Sequence, residues 1–327
     1  MSIRIFLSIH ANDFGVLGFS NVNVNCTPLF DICRELNTDI QVEGFVDGIL
    51  CIQDGEEKRE AINRITSAER NIKDYPMYPT LTHRDNRDYQ YRDDRTRLTL
   101  RKRIIAELFD NKRLEDDDRI SLGVGGAAPI TDTKYEGKAF YIIGPPAAGK
   151  SGVAAKIADT YGCYILEADF AKRKLPEYTN QIGSASLVHD ESDELVFGES
   201  GLMEHCLKKK TNIVIPKIGH NMSSILRFCE SLHSAGYEVY LISVDLDRQK
   251  ATQRAYNRFI STNRYVPLSL IFDGYGNQPT LNYFKIKQQN SSAFSGYSQI
   301  STDVPYGEPV KLVEAINMAE LQAINWR

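Results

Sequence analysis

The segment Gly144-Pro145-Pro146-Ala147-Ala148-Gly149-Lys150-Ser151 constrains this chain more than any other. It fits the pattern GxxxxGK[ST] at every required position. The apolar run Ala139 to Ile143 precedes it, and a helix is predicted from Gly149 to Tyr161, closed by Gly162. A strand that hands a glycine-rich loop to a helix N-terminus can wrap a polyphosphate. The loop amides point inward, and the helix end adds partial positive charge. Lys150 would reach the β- and γ-phosphates of ATP or GTP, and the Ser151 hydroxyl would ligate Mg²⁺. Gly144 and Pro145 open the loop, and Ala147, Ala148 and Gly152 are small enough for backbone to approach the nucleotide.

The rhythm around the loop sets the fold class. Tyr164 to Leu166, Asn212 to Ile215 and Val239 to Val244 read as short strands. Helices are expected between them, roughly over 187–209, 223–235 and 248–261. Strands alternating with helices imply a doubly wound α/β fold of the P-loop NTPase type, a parallel sheet with helices on both faces.

The 327 residues suggest about two domains. Residues 1–74 read as a small α/β domain, with strands at Ile3 to Leu7 and Gln41 to Cys51 and a polar helix over Glu56 to Lys73. Residues 75–135 read as a charged linker, broken by Tyr75-Pro76 and Tyr78-Pro79. It carries an amphipathic helix over Arg97 to Phe109, with Leu100, Ile104, Ile105 and Leu108 on one face. Leu122-Gly123-Val124-Gly125-Gly126 reads as a turn. Residues 136–327 would form the nucleotide-binding domain.

Charge narrows the partners. Residues 84–119 hold 11 basic and 10 acidic side chains, and the whole chain carries a net charge of −4. Near-cancelling signs make a poor footprint for nucleic acid, and the stretch reads as a solvated surface. No apolar run approaches the roughly 18 residues of a membrane span. The six cysteines, at 26, 33, 51, 163, 206 and 229, form no CxxC or zinc spacing. They suit free thiols in a cytoplasm, that of the producing cell or of a target cell.

Phosphoryl transfer to a hydroxyl needs a base or orienting carboxylate near the γ-phosphate. Ligands of a doubly wound sheet sit at the carboxyl ends of its strands. The strand after the loop helix ends Leu166-Glu167-Ala168-Asp169, which puts Asp169 beside the loop. Asp169 is the first choice, with a helix N-cap as its structural alternative, and Glu167 is the second.

The string Asp169-Phe170-Ala171-Lys172-Arg173-Lys174-Leu175-Pro176-Glu177-Tyr178 then resembles the zeta-toxin kinases. In that family a basic residue, a Pro and an aromatic follow the strand-end Asp at the offsets of Lys172, Pro176 and Tyr178. The resemblance extends over about 138–270. It takes in the helix around His189-Asp190-Glu191, the strand entry at Gly236 to Val239 and the helix bearing Arg254 and Arg258. Asn263-Arg264-Tyr265-Val266-Pro267 is similar to the family's arginine-tyrosine/phenylalanine-valine-proline element.

The resemblance implies an ATP- and Mg²⁺-dependent kinase, toxic to cells, with a separate antitoxin protein as partner. The acceptor it implies is a sugar hydroxyl of a nucleotide-linked small molecule, UDP-N-acetylglucosamine or, in a related effector branch, NAD. By the same resemblance Asp169 is the base, Lys172 holds the acceptor or fixes Asp169, and Arg254, Arg258 and Arg264 contact the triphosphate. A 5′-hydroxyl polynucleotide kinase and a non-catalytic nucleotide switch are the alternatives. The region before the kinase reads either as an inhibitory domain or as a partner-binding extension.

The chain departs from the family in two places. Where the third strand should end in an acid-Gly-Thr string, it runs Pro216-Lys217-Ile218-Gly219-His220. Asp169 or water must then complete the Mg²⁺ shell, or Asp190 or Glu191 must reach in. Lys217 would set a cation where the acceptor lies. Leu175 stands where the family commonly has His. His189 and His220 could orient an acceptor or be structural, and Asp190, Glu191, Asp193 and Glu194 read mostly as a solvated helix face. Tyr275, Tyr283, Tyr297 and Tyr306 could stack on a base or pack in the core.

Overall fold

Strands β1 (Lys138–Ile143), β2 (Tyr164–Ile165), β3 (Ile213–Lys217), β4 (Glu238–Asp245), β5 (Gly296–Ser301) and β6 (Lys311–Ile316) form one sheet in the order β2-β3-β1-β4-β5-β6. In this computed structural model, residues 33–53, 55–74, 78–179, 181–305 and 307–326 are described. The first five strands run parallel, and β6 turns back antiparallel to β5. β1 lies between β3 and β4, and Ile143 faces Lys217 on one side and Ser243 on the other. The loop after β1 therefore leaves from the middle of the sheet, with Lys217 level with its start. β1, β3 and β4 are nearly continuous buried runs, as strands covered on both faces must be.

Helix α4 (Lys150–Tyr161) packs on β1, β2 and β3, while α9 (Met222–Ser234) and α11 (Gln278–Gln289) pack on β4. Gly162 caps α4 in the left-handed conformation, as its sequence implies. The helix expected over 187–209 is interrupted. It forms α7 (His189–Phe197) and α8 (Leu202–Lys209), parted at Gly198, where a Cβ would lie 2.5 Å from the Glu194 carbonyl. Asp245 ends β4, and α10 (Arg248–Thr262) follows it.

The expected strand over Gln41 to Cys51 is helical. Helix α1 (Asp39–Phe45) runs into a π-helical turn, Val46–Leu50. Val42, Phe45, Val46 and Leu50 are buried, a spacing that fits helix rather than alternation. A Thr38/Gln41 capping box starts the helix, with each side chain bonded to the other's backbone. The strand expected over Ile3 to Leu7, and Tyr75, Pro76 and Tyr306, lie outside the described residues.

The polar helix is α2 (Gly55–Asp74), and the amphipathic one is α3 (Asp94–Asp110). Their apolar residues, Ala61, Ile65, Leu100, Ile104 and Leu108, belong to the same core as the sheet. The stretch 84–119 is not simply a solvated surface. Arg97 is 2% exposed and lies between Glu177 and Glu191, while Thr80 donates to Glu191 at 2.6 Å.

Candidate active site

The loop 144–151 has the geometry its sequence calls for. Gly144 lies so close to β4 that a Cβ would fall 2.4 Å from the Val244 carbonyl. Ala147 and Gly149 both take positive φ, 60° and 83°, which folds the loop back before α4 begins. The first amides of α4 have no carbonyl one turn earlier to bond, so the helix opens onto the loop with unpaired donors. Lys150 Nζ donates to the Gly144 and Pro145 carbonyls at 2.9 and 2.8 Å. Burial pushes its ammonium down to about 8, opposed by Glu167 and Asp169 and reinforced by Arg258.

Asp169 lies in the first turn of helix α5 (Ala168–Lys174), and Glu167 takes the N-cap position without a side-chain capping bond. Asp169 is therefore not the N-cap. Lys172 Nζ bonds its Oδ1 at 3.0 Å, and the Arg264 guanidinium bonds its Oδ2. Burial opposes ionisation of Asp169, but Lys172, Arg264 and Arg173 outweigh it and hold the carboxyl well below the usual carboxylate range. Glu167 moves the other way, pushed up to about 7 by burial and by the Asp169 charge. Its carboxylate makes no hydrogen bond among the described residues, although its carbonyl accepts from the Phe170 amide at 3.2 Å. Two nearby carboxylates thus sit on opposite sides of their ordinary values.

The three basic residues after Asp169 tie α5 down in three directions. Lys172 returns to Asp169, and Arg173 pairs with Asp118. Lys174, 1% exposed, donates to the Glu107 carboxylate and to the carbonyls of Ser121, Val124 and Gly125, at 2.8–3.2 Å. The glycine turn at 122–126 thereby serves as an anchor for this lysine. Sequence reasoning found the turn and the lysine but did not join them.

The arginines divide. Arg264 is paired with Asp169. Arg258 faces Asp169 and Arg264 electrostatically, and its buried Nε has no hydrogen-bond partner among the described residues. An unpaired buried donor suits an anion that arrives later. Arg254 donates to the Thr302 carbonyl at 2.7 Å, while Thr302 Oγ1 donates to the loop carbonyl of Ala148 at 2.8 Å. Thr302, just past the end of β5, thus braces the loop, and sequence reasoning missed it. Its position beyond a strand's carboxyl end was the available signal.

Neither acid expected to replace the missing carboxylate enters the site. Glu191 is held by Arg97, and Asp190 is exposed. Asp193 instead approaches Lys217 at 3.4 Å, and the Lys217 ammonium lies 3.9 Å from the centre of the Phe197 ring. His189 is pushed down by burial and then by Lys172, so it stays neutral beside the cations. The His220 ring lies tilted against that of Tyr275 at 5.3 Å, and Asn282 donates to its carbonyl. Tyr275, Tyr283 and Tyr297 are buried in the core.

Among the described residues, no group of three or more His, Cys, Asp or Glu side chains could hold a metal ion. Mg²⁺ does not need one, because it usually takes one or two protein ligands, with phosphate oxygens and water completing its shell. Ser151 is exposed at the start of α4 and fits that part. Asp169 fits it poorly, since each of its oxygens already carries a cationic partner.

Residues 128–279 match the family described as Zeta toxin, which bears out the resemblance read from the residues. No curated protein matches the chain. Among solved structures it is similar to one from the PezAT chromosomal toxin–antitoxin system of Streptococcus pneumoniae. The two share 16% identity over 70% of this chain and 83% of that one, with a TM-score of 0.48. It is also similar to the native AvrRxo1-ORF1:-ORF2 complex, at 17% identity, 84% and 78% coverage and a TM-score of 0.43. The same complex with ATP gives 19% identity, 74% of each chain and a TM-score of 0.43.

Proposed function

We propose that this protein is an ATP-dependent kinase of the zeta-toxin type. It moves the γ-phosphoryl group to a sugar hydroxyl of a nucleotide-linked small molecule. One observation carries the reading: the Asp169 carboxylate is clamped by Lys172 and Arg264 close to Lys150 of the loop 144–151. The family match over 128–279 supports it.

The residues divide the work as follows. The loop amides and Lys150 hold the β- and γ-phosphates, with Lys150 turning to them from the Gly144 and Pro145 carbonyls. Arg258 offers its free Nε to the transferring group, supplying positive charge where equatorial oxygens gather negative charge. Ser151 would hold Mg²⁺, which neutralises phosphate charge when bound. Asp169 orients the acceptor hydroxyl. In a loose transition state little deprotonation precedes bond making, so a carboxylate of low basicity can serve. Glu167, raised to about 7, has the better basicity near neutral pH and stands as the second candidate base.

The acceptor is proposed to carry phosphate, because Lys217 sets a cation at the end of β3 where the family has an acid. UDP-N-acetylglucosamine and NAD both satisfy this. We also propose that the activity is toxic and that a separate antitoxin protein restrains it in a cytoplasm.

The test is to incubate the protein with Mg²⁺ and γ-labelled ATP and to offer UDP-N-acetylglucosamine, NAD and a 5′-hydroxyl oligonucleotide separately. Label in one of the first two is expected. Label in the oligonucleotide alone would move the protein to the polynucleotide kinases. ATP binding without transfer would favour a nucleotide-dependent switch. In cells, expression should arrest growth, and Lys150→Ala should relieve the arrest.

A further inference from the structure

The segment before the family match reaches the clamp on Asp169. Tyr265 directly follows Arg264, and its hydroxyl donates to Oε1 of Glu69 on α2. The Tyr265 ring packs edge-on against Phe259 at 4.8 Å, one residue from Arg258 on α10. The ring and hydroxyl of Tyr265 therefore fix the backbone that carries Arg264 between two supports. One is α10, inside the matched region, and the other is α2, outside it.

The elements that pack beside α2, namely α1 and the Val46–Leu50 turn, are tied to the same wall. Gln249 and Gln253 of α10 both donate to the Ile49 carbonyl, at 3.2 and 3.0 Å. Arg34 forms a two-point pair with Asp273, at 2.7 and 2.8 Å, and lies 5.5 Å from each of the Phe45 and Phe272 rings. Phe45 meets Phe272 edge to face at 6.3 Å. These contacts lie on α10 and on the Leu270–Tyr275 turn, so residues 34–49 dock against α10, the helix that bears Arg254 and Arg258, and against that turn.

We propose that Glu69 and Tyr265 are positioning residues for phosphoryl transfer. Through their hydrogen bond, helix α2 sets the place of Arg264 and, through Arg264, the orientation of the Asp169 carboxylate. This rests on the reading of Asp169 as the orienting carboxylate. Its consequence is that residues 33–74 complete the kinase site as part of its wall. A carboxylate displaced by a fraction of an ångström at a site of this kind loses catalysis steeply, whereas nucleotide held by the loop is unaffected.

The test uses the full chain and three variants. Tyr265→Phe removes only the hydroxyl, Glu69→Ala removes the acceptor, and Glu69→Gln keeps an acceptor oxygen while removing the charge. Three quantities are read: kcat and KM for transfer, ATP affinity, and amide hydrogen exchange in peptides covering 165–171. Tyr265→Phe and Glu69→Ala should lower kcat about tenfold with ATP affinity unchanged. They should also speed exchange over 165–171 about fivefold or more. Glu69→Gln should stay near wild type in all three. A purely local role for Glu69 would speed exchange in α2 alone, leaving 165–171 and kcat unmoved, and that result overturns the proposal. So would Glu69→Gln matching Glu69→Ala, or a loss of ATP affinity in step with kcat. If the wild-type protein transfers phosphate to no acceptor, that failure belongs to the kinase reading. Exchange over 165–171 then decides alone, faster in Tyr265→Phe for the proposal and unchanged against it.

Discussion

Arg97 and Glu191 meet in a fully buried pair, Nη2 to Oε2 at 2.6 Å and Nε to Oε1 at 2.7 Å, across 94 positions of sequence. Glu177 shares the same guanidinium at 2.7 Å. Arg97 lies upstream of the family match and both acids lie inside it, so the cluster fastens α3 to α7 and to the turn that follows α5.

Removing one member of such a cluster leaves its partners charged and dry. Arg97→Met should therefore cost about 3–5 kcal/mol in denaturant unfolding. Arg97→Lys should recover little, because a single ammonium cannot serve two carboxylates two-pronged. The cluster also sets an acid limit. Burial raises Glu191, but its bonds to Arg97 hold it below its ordinary 4.5. Its contribution is full above that value and is lost as pH falls through the lower folded value. An Arg97→Met variant within 1 kcal/mol of wild type would contradict this.

Lys150 makes nucleotide binding proton-linked. Its value near 8 lies below its ordinary 10.5, so before nucleotide binds it loses its proton as pH rises through 8. Triphosphate charges would draw that value back up. At pH 9, ATP binding should then take up about one proton, seen as a dependence of the binding heat on buffer ionisation enthalpy. Lys150→Arg should abolish the uptake. A buffer-independent heat at pH 9 would count against the assignment.

Lys217 should act on the acceptor rather than on ATP. Lys217→Met keeps the stem against Phe197 and removes the charge. The acceptor KM should rise about tenfold, the equivalent of one lost charge contact worth about 1.4 kcal/mol, with kcat and ATP affinity little changed. An unchanged acceptor KM would show that Lys217 serves only Asp193 and Phe197.

The parts of the fold legible in the sequence were those whose chemistry demands a local spacing. The loop at 144–151 and the run from Asp169 to Tyr178 are of this kind, since phosphate cradling and a strand-end carboxylate depend on neighbours a few residues apart. What stayed hidden was set by partners far along the chain. Lys174 finds its four acceptors 49–67 positions away, so nothing in Lys172-Arg173-Lys174 tells which lysine is buried. Arg97 looked like one charge among many because its burial comes from Glu177 and Glu191. The helix over Asp39–Phe45 was legible but misread. The strand expected over Gln41 to Cys51 overlooks the Thr38/Gln41 capping box, which marks a helix start.

Asp169 is proposed to act in transfer and not in binding ATP. The most direct measurement is single-turnover transfer from γ-labelled ATP by Asp169→Asn, beside its ATP affinity. Asp169→Asn should bind ATP as wild type does and transfer phosphate more slowly by about 10²–10⁴. Transfer within a fewfold of wild type would contradict it. A matching loss in Glu167→Gln alone would move the role to Glu167.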